Sequence, residues 1–180
     1  MAEINAEVQT PLVRIAGRYG FYGSLVTMVA MVSLFYLHRH PYLIPWFFDI
    51  RIFLFALFIF FSIREFKNSN QNVLHFWQGI YIGLITYVLI AFLASIFIGI
   101  FAKWIEPAFV SEYIRLSIDK FYQHREAWIE TLGEDRFNAV IKNLPSTTAG
   151  VLAFDYFLKS MPIGFILTLI ISILLRRQPK

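Results

Sequence analysis

Residues 77–102 read WQGIYIGLITYVLIAFLASIFIGIFA, a stretch of 26 residues without one charged side chain. A helix needs about 20 apolar residues to cross the hydrocarbon core of a bilayer, so this stretch predicts a membrane-spanning helix. Two further runs have the same character: residues 19–37 carry no charge, and residues 151–175 carry only Asp155 and Lys159. These three runs predict a helical membrane protein.

A fourth span is predicted from a shorter apolar run. Residues 52–63 are uniformly apolar but cover only 12 positions, which is about 18 Å of helix. A full crossing also needs residues 42–51, which brings Asp49 and Arg51 into the bilayer; a re-entrant hairpin is the alternative. We expect an all-α polytopic protein, a single membrane domain over residues 1–180. Its four spans are predicted at about 19–37, 42–63, 77–102 and 151–175.

Composition supports this class. The 180 residues are 58% hydrophobic and 16% charged, whereas a soluble domain is roughly 45–50% apolar and about 25% charged. Aromatic residues make up 18% of the chain, and 20 of them are Phe. Disorder and nucleic-acid binding do not fit this composition. A cysteine-based metal site or disulfide framework is excluded because the chain has no Cys.

The distribution of Lys and Arg predicts the orientation. The first two predicted helices are flanked by Arg14, Arg18, Arg64 and Lys67 on one side and by Arg39 on the other. We therefore expect a multi-pass protein with both termini in the cytoplasm. The segment 103–150 then faces outward.

That outer segment predicts an interfacial helical cap over about 107–144. Between Pro107 and Leu132 apolar residues recur at helical spacing, with charged residues on the other faces. This pattern is typical of an amphipathic helix lying at a membrane surface. Gly133 is a suitable helix stop, and residues 134–143 predict a second, shorter helix.

Five segments together carry a family resemblance. In chain order they are GRYGFYG at 17–23, IREFK at 63–67, LHFWQGIYIG at 74–83, WIEPAF at 104–109 and LLRR at 174–177. This order resembles the four-helix inner-membrane proteins of Bacteroidetes-type bacteria that are grouped as domain-of-unknown-function family 4199. The resemblance implies a fold and a location in the bacterial inner (cytoplasmic) membrane, but no reaction. It also implies a membrane partner, a polyprenyl-phosphate glycosyltransferase.

Four charged residues fall inside the predicted spans: Asp49, Arg51, Asp155 and Lys159. A charge in a bilayer costs about 2.5–3.5 kcal/mol even on insertion scales. Their depths match when counted along helices 2 and 4, so we expect the pairs Asp49–Lys159 and Arg51–Asp155. One interpretation is an outer-leaflet polar pocket for a lipid head group, substrate or ion. The other is a purely structural salt-bridge cluster.

Small residues recur along the third predicted helix. Such residues let helices approach closely in lipid, so we expect packing within the bundle, with a homo-oligomer face as the alternative. The set is Gly79, Gly83, Ala91, Ser95 and Gly99. Tryptophans near the predicted helix ends indicate interfacial anchors. These are Trp46, Trp77, Trp104 and Trp128.

No catalytic constellation is visible in the sequence. His38 and His40, with Arg39 between them, would make a poor metal site, so neither a metal nor a cofactor is expected. The favoured function is an accessory or scaffold subunit for a membrane partner. The alternative is a lipid- or polyprenyl-phosphate-handling protein that uses the polar pocket. A small transporter and an enzyme are less favoured, and membrane lipids are expected partners in every case.

Overall fold

A computed structural model describes residues 2–44 and 49–177. The described residues form seven α-helices in the order α1 to α7, joined by short connections. We call α1 (Ala2–Tyr36), α2 (Ile50–Ser69), α3 (Phe76–Ile100) and α7 (Ala149–Leu175) the bundle, and α4 (Ala108–Gln123), α5 (Arg125–Leu132) and α6 (Glu134–Asn143) the cap. The described part of the chain contains no β-strand, and the predicted all-α class is confirmed.

The first two helices differ from their predicted bounds. α1 covers Ala2–Tyr36, so it extends well before residue 19 and includes Pro11. α2 covers Ile50–Ser69 and begins eight residues after the predicted start at 42. The reason is a capping interaction: the carboxylate of Asp49 accepts a hydrogen bond from the backbone N–H of Arg51, which fixes the helix start. Before it, Pro41–Leu43 forms a short 3-10 turn.

The other two bundle helices match the apolar runs closely. α3 covers Phe76–Ile100 and continues as a π-helical turn over Phe101–Ile105. α7 covers Ala149–Leu175 and begins at Thr148, whose side chain accepts a hydrogen bond from the backbone N–H of Val151.

The cap consists of three helices where the sequence predicted two. α4 covers Ala108–Gln123, and α5 covers Arg125–Leu132. The single helix expected over 107–132 is therefore wrong, because the chain breaks at His124. α6 covers Glu134–Asn143 as expected. Gly133, between α5 and α6, has φ +82°, a backbone conformation that side chains rarely tolerate.

α3 is the central helix of the bundle. It packs most extensively against α7 and α1, while α2 packs against α1, α3 and α7. One buried apolar cluster includes Phe55, Ile59, Ile82 and Ile90 and lies among the four helices. A second cluster lies where the bundle meets α4, and its aromatic members include Phe35, Phe101, Phe109 and Tyr156.

Three helices in the described ranges are long and apolar enough to cross a membrane. They cover Pro11–Tyr36, Phe76–Ile105 and Ala149–Leu175. α2 is not among these three helices. It carries four charged residues, Arg51, Arg64, Glu65 and Lys67, and every 18-residue stretch of α2 contains at least three of them.

Candidate functional site

The four charged residues predicted to lie in the membrane are near one end of the bundle, but the pairs differ from those expected. The Asp49 carboxylate accepts from the backbone N–H of Arg51 at 2.9 Å and from its Nε at 2.7 Å. The two side chains also form an ion pair. Lys159 Nζ lies 2.7 Å from Asp155 Oδ2, one turn away on α7.

The predicted inter-helix pairs Asp49–Lys159 and Arg51–Asp155 are therefore wrong. Each charge finds its partner two or four residues away in its own segment. A local partner needs no alignment of two helices, and an i,i+4 pair lies on one helix face. The depth count also placed Asp49 inside a helix, whereas it caps α2.

Tyr156 lies at the centre of this group, although the sequence gave no reason to single it out. The Arg51 guanidinium lies over the Tyr156 ring, with Cζ 5.1 Å from the ring centroid. The Tyr156 side chain is 2% exposed, and its hydroxyl has no hydrogen-bond partner among residues 2–44 and 49–177. A cavity of about 30 Å³ is lined by this tyrosine together with Asp49, Arg51 and Lys159.

Tyr42 closes the same cavity from the α1–α2 connection. Its hydroxyl donates a hydrogen bond of 2.6 Å to the backbone carbonyl of Leu152 on α7. Burial raises the pKa of the Tyr42 hydroxyl well above its ordinary value, and the nearby Tyr156 and Asp155 act in the same direction. Tyr42 is therefore a neutral donor that ties this connection to α7.

His40 joins the α1–α2 connection to the cap. Its Nδ1 accepts from the backbone N–H of Tyr42 at 3.4 Å, so its Nε2 carries the proton and donates to the carbonyl of Phe109 at 3.1 Å. The ring packs against the rings of Phe35, Phe109 and Tyr113. Burial lowers the pKa of His40, opposed in part by the Phe109 carbonyl and by Glu112.

These hydrogen bonds leave neither ring nitrogen of His40 available to a metal. His38 is exposed and has a positive φ of 56°. Within the described part of the chain, no group of three or more His, Asp and Glu side chains could hold a metal ion. We call Asp49, Arg51, Tyr156 and Lys159, with the cavity that they line together with Tyr42, the polar end of the bundle.

The small residues of α3 face other helices of the bundle. A Cβ added at Gly79 would lie 2.8 Å from Ser172 Oγ, and one at Gly83 would lie 2.5 Å from Thr168 Cγ2. The relation is reversed one turn on, where Gly164 of α7 faces the ring of Tyr87 on α3. Further along α3, Ala91 and Ser95 are buried, and Gly99 faces Ala153 of α7 at a longer distance.

The four tryptophans have different environments. Trp77 and Trp104, near the two ends of α3, are 76% and 66% exposed. Trp128 is partly buried and packs on Phe121, with ring centroids 5.0 Å apart. Trp46 lies outside the described residues.

The fold defines the class of protein: it is all-α, with three helices long and apolar enough to span a membrane. Residues 18–177 match the model of a family described as "Protein of unknown function (DUF4199)". The chain belongs to this family, which confirms the resemblance seen in the sequence. The search of curated proteins and the search of solved structures each give no match.

Proposed function

We propose that α2 is a fourth membrane span. Its 20 residues correspond to about 30 Å of helix, the thickness of the hydrocarbon core. Phe55 and Ile59 are buried against the other helices, while Phe53 and Phe61 are exposed as lipid-facing residues would be. The charges near its two ends are paired, Arg51 with Asp49 and Glu65 with Arg18, which lowers the cost of placing them near lipid.

The orientation proposed for this four-helix bundle has both termini in the cytoplasm of a bacterial inner membrane. The support is the set of basic residues that flank the uncharged part of α1 and lie near the C-terminal ends of α2 and α7: Arg14, Arg18, Arg64, Lys67, Arg176 and Arg177. Because the chain has no Cys, single-cysteine labelling tests it directly. In intact spheroplasts, Asn138→Cys in the cap should react with an impermeant reagent, and Asn70→Cys should not. The reverse pattern would require the opposite orientation.

The cap is proposed to lie at the outward-facing surface of the same inner membrane. α4 begins three residues after the π-helical end of α3, and α7 begins six residues after α6 ends, so both connections are short. Trp128 fluorescence, taken as the difference between the wild type and Trp128→Phe, should be blue-shifted relative to a tryptophan in water. A water-like spectrum at this position would contradict the interfacial placement.

On this framework, the function that the geometry supports best is an accessory subunit that binds a membrane partner. The observation that carries it is a groove on the cap, with a volume of about 470 Å³. Its floor is apolar, from Leu132, Ala139, Val140 and Leu144, and Arg136 and Asn143 also line it. α5 packs against α6 and α4, and α6 also packs against Leu144–Ser146.

The occupant proposed for this groove is an amphipathic helix of the partner. An apolar groove with a basic and an amide side chain matches a helix that presents apolar anchors and an acidic edge. The family resemblance suggests a polyprenyl-phosphate glycosyltransferase as the first partner to test.

Photocrosslinking in cells tests the accessory function. A photoreactive residue at Ala139, in the groove, should give a discrete protein adduct, and one at Ser111, exposed on α4, should not. The adduct should disappear when Val140→Asp introduces a charge into the groove. An adduct with a second copy of this chain would indicate a homo-oligomer instead, and adducts with lipid alone would contradict the partner.

A second candidate function is lipid binding at the polar end of the bundle. It is favoured by the buried, unpartnered hydroxyl of Tyr156 beside the cavity. Purification in a mild detergent followed by lipid mass spectrometry tests it. A lipid class enriched over its share of the membrane would support lipid binding, and bulk membrane composition would contradict it.

A further inference from the structure

The cavity at the polar end of the bundle is too small for a whole ligand. Its volume is about 30 Å³, which is about the share of one water molecule in the liquid. It can therefore admit one oxygen atom of a larger molecule whose remainder stays outside. The walls come from α1, the α1–α2 connection, the start of α2 and the first turns of α7, with Met31, Leu34, Tyr42, Asp49, Arg51 and Lys159 among the residues.

Tyr156, which lines this cavity, carries a buried hydrogen-bond donor without a partner among the described residues. Its hydroxyl is one of four buried side-chain groups without a partner among the described residues. Two of the others, Thr168 and Ser172, lie against Gly83 and Gly79 with no space for a ligand. Tyr156 differs because its neighbours are a cavity and charged groups. A buried donor without an acceptor is unfavourable, so an acceptor supplied by a ligand would stabilise this site.

Lys159 is the charged residue that can reach both the cavity and the surroundings. Its side chain is 58% exposed, whereas that of Arg51 is 16% exposed and is held by Asp49 and the Tyr156 ring. Lys159 and Asp155 are an i,i+4 pair near the protein surface. Such exposed pairs contribute little stability, so a ligand can replace the contact at low cost.

The position along α7 is that of a lipid head group. Tyr156 lies 19 residues before Leu175, the last residue of the helix, or about 28 Å along its axis. Because the hydrocarbon core is about 30 Å thick, Tyr156 lies close to its outer boundary. A long Lys side chain at that depth extends toward the head groups.

We propose that this site binds a zwitterionic phospholipid head group of the phosphoethanolamine type. A phosphate oxygen accepts from the Tyr156 hydroxyl and the Lys159 ammonium, and the ethanolamine ammonium donates to Asp155. The ligand thus replaces one local ion pair by two. The four charged side chains sum to zero, which favours a ligand without net charge over an anionic one. This inference rests on the lipid-binding function proposed above and assigns its ligand.

Native mass spectrometry of the full chain in mild detergent tests it, with phosphatidylethanolamine and phosphatidylglycerol of identical acyl chains in equal amounts. The wild type should retain phosphatidylethanolamine about tenfold better, because each hydrogen bond to a charged group contributes at least that factor. Tyr156→Phe and Lys159→Gln should lower this retention about tenfold. Asp155→Asn should remove the preference for phosphatidylethanolamine while phosphatidylglycerol stays bound.

Two controls separate the ligand from the fold. Tyr122→Phe removes an exposed hydroxyl in the cap and should change neither lipid. Tyr156→Phe should melt no lower than the wild type in lipid-free detergent, because its hydroxyl has no protein partner. Selective lipid binding that all three site variants leave unchanged would overturn this site but not the lipid-binding function. Equal retention of both lipids by the wild type would overturn the zwitterionic ligand, and no retention of either would overturn the function as well.

Discussion

At the α3–α7 interface, glycines of one helix face larger side chains of the other, whereas at the polar end charged and aromatic side chains meet around a small cavity. Gly79 and Gly83 lie against Ser172 and Thr168, and Gly164 lies against Tyr87. Lipid tails are as apolar as the helix surfaces, so burying apolar side chains does not favour contact with a helix over contact with lipid. This interface therefore depends on the close approach of the two helices. The polar end depends instead on hydrogen bonds and ion pairs.

This difference indicates where the chain can respond to a ligand. An interface built on close approach has no room to rearrange, because any added atom meets a neighbour at short distance. At the polar end, the groups that line the cavity include an unpaired hydroxyl and an exposed lysine. The first interface therefore fixes the bundle, and the second region is where binding can occur.

The largest effect is expected at the mostly buried pair of the polar end. Asp49→Ala removes the N-cap side chain of α2 and leaves Arg51 without its partner. Breaking a buried ion pair costs about 3–5 kcal/mol. The double variant Asp49→Ala with Arg51→Leu should regain most of this stability in detergent melting. The cycle of Asp49→Ala with Lys159→Ala should show no coupling; strong coupling there would contradict the local pairs.

A smaller loss is expected at the α3–α7 interface. The Cβ of Gly164→Ala would lie 2.3 Å from the ring of Tyr87, so one of the two helices must shift. Overpacking of this kind costs about 1–3 kcal/mol. Gly17→Ala is the matched control, because nothing lies within 4 Å of its added Cβ. Equal melting temperatures for both variants would mean that the close approach does not stabilise the bundle.

The cap should loosen as the pH falls. Because burial lowers the folded-state pKa of His40, the neutral ring is favoured by folding. The contact of the neutral His40 ring with the cap therefore contributes its full stability above the unfolded-state pKa of about 6.5. This contribution weakens as the pH falls from there through the folded-state pKa. Protonation of Nδ1 removes the acceptor of the Tyr42 N–H, a loss of about 1 kcal/mol or more. The protection factors of the α4 amides in hydrogen exchange measure this loss.

The histidine variants make the pH prediction specific. His40→Leu should abolish the pH dependence of the α4 protection factors, which are corrected for the intrinsic pH dependence of amide exchange. His38→Asn, at an exposed position in the same connection, should retain it. A pH dependence that survives in His40→Leu would assign the effect to another group.

The smallest effect is expected for the exposed pair on α7. A double-mutant cycle of Asp155→Ala and Lys159→Ala should give a coupling of only about 0.3–0.5 kcal/mol, as for other i,i+4 pairs on helix surfaces. Added salt should reduce it further. A coupling as large as that of Asp49 and Arg51 would remove the distinction between a fixed pair and an exchangeable one.

The sequence predicted the helices better than their contacts, for a physical reason. Long apolar runs have few alternatives in a membrane protein, so 77–102 and 151–175 agree with α3 and α7 to within two residues at each helix start. The start of α2 was wrong because the required span length was extended backward through Asp49. The preference of Asp for the N-cap position was a signal that could have corrected it.

The candidate site was only partly accessible from the sequence. The four charged residues are near one end of the bundle because charge in apolar runs is rare and informative. The predicted pairs were wrong because two local pairs and two inter-helix pairs use the same four residues, and the sequence alone does not distinguish them. Tyr156 carried no signal, since a tyrosine in an apolar helix is equally suited to a core. Its unpaired hydroxyl depends on how α7 faces the α1–α2 connection.

The residues that face Gly79 and Gly83 are on α7, which is synthesised after the cap. Leu74, just before α3, exchanges two backbone hydrogen bonds with Arg177, just after α7. During translation, the α3 surface that contacts α7 therefore remains without this partner while the cap is synthesised. Assembly of the bundle is completed only when α7 has left the ribosome. A nonsense mutation anywhere in the cap would leave α1, α2 and α3 with Gly79 and Gly83 of α3 uncovered.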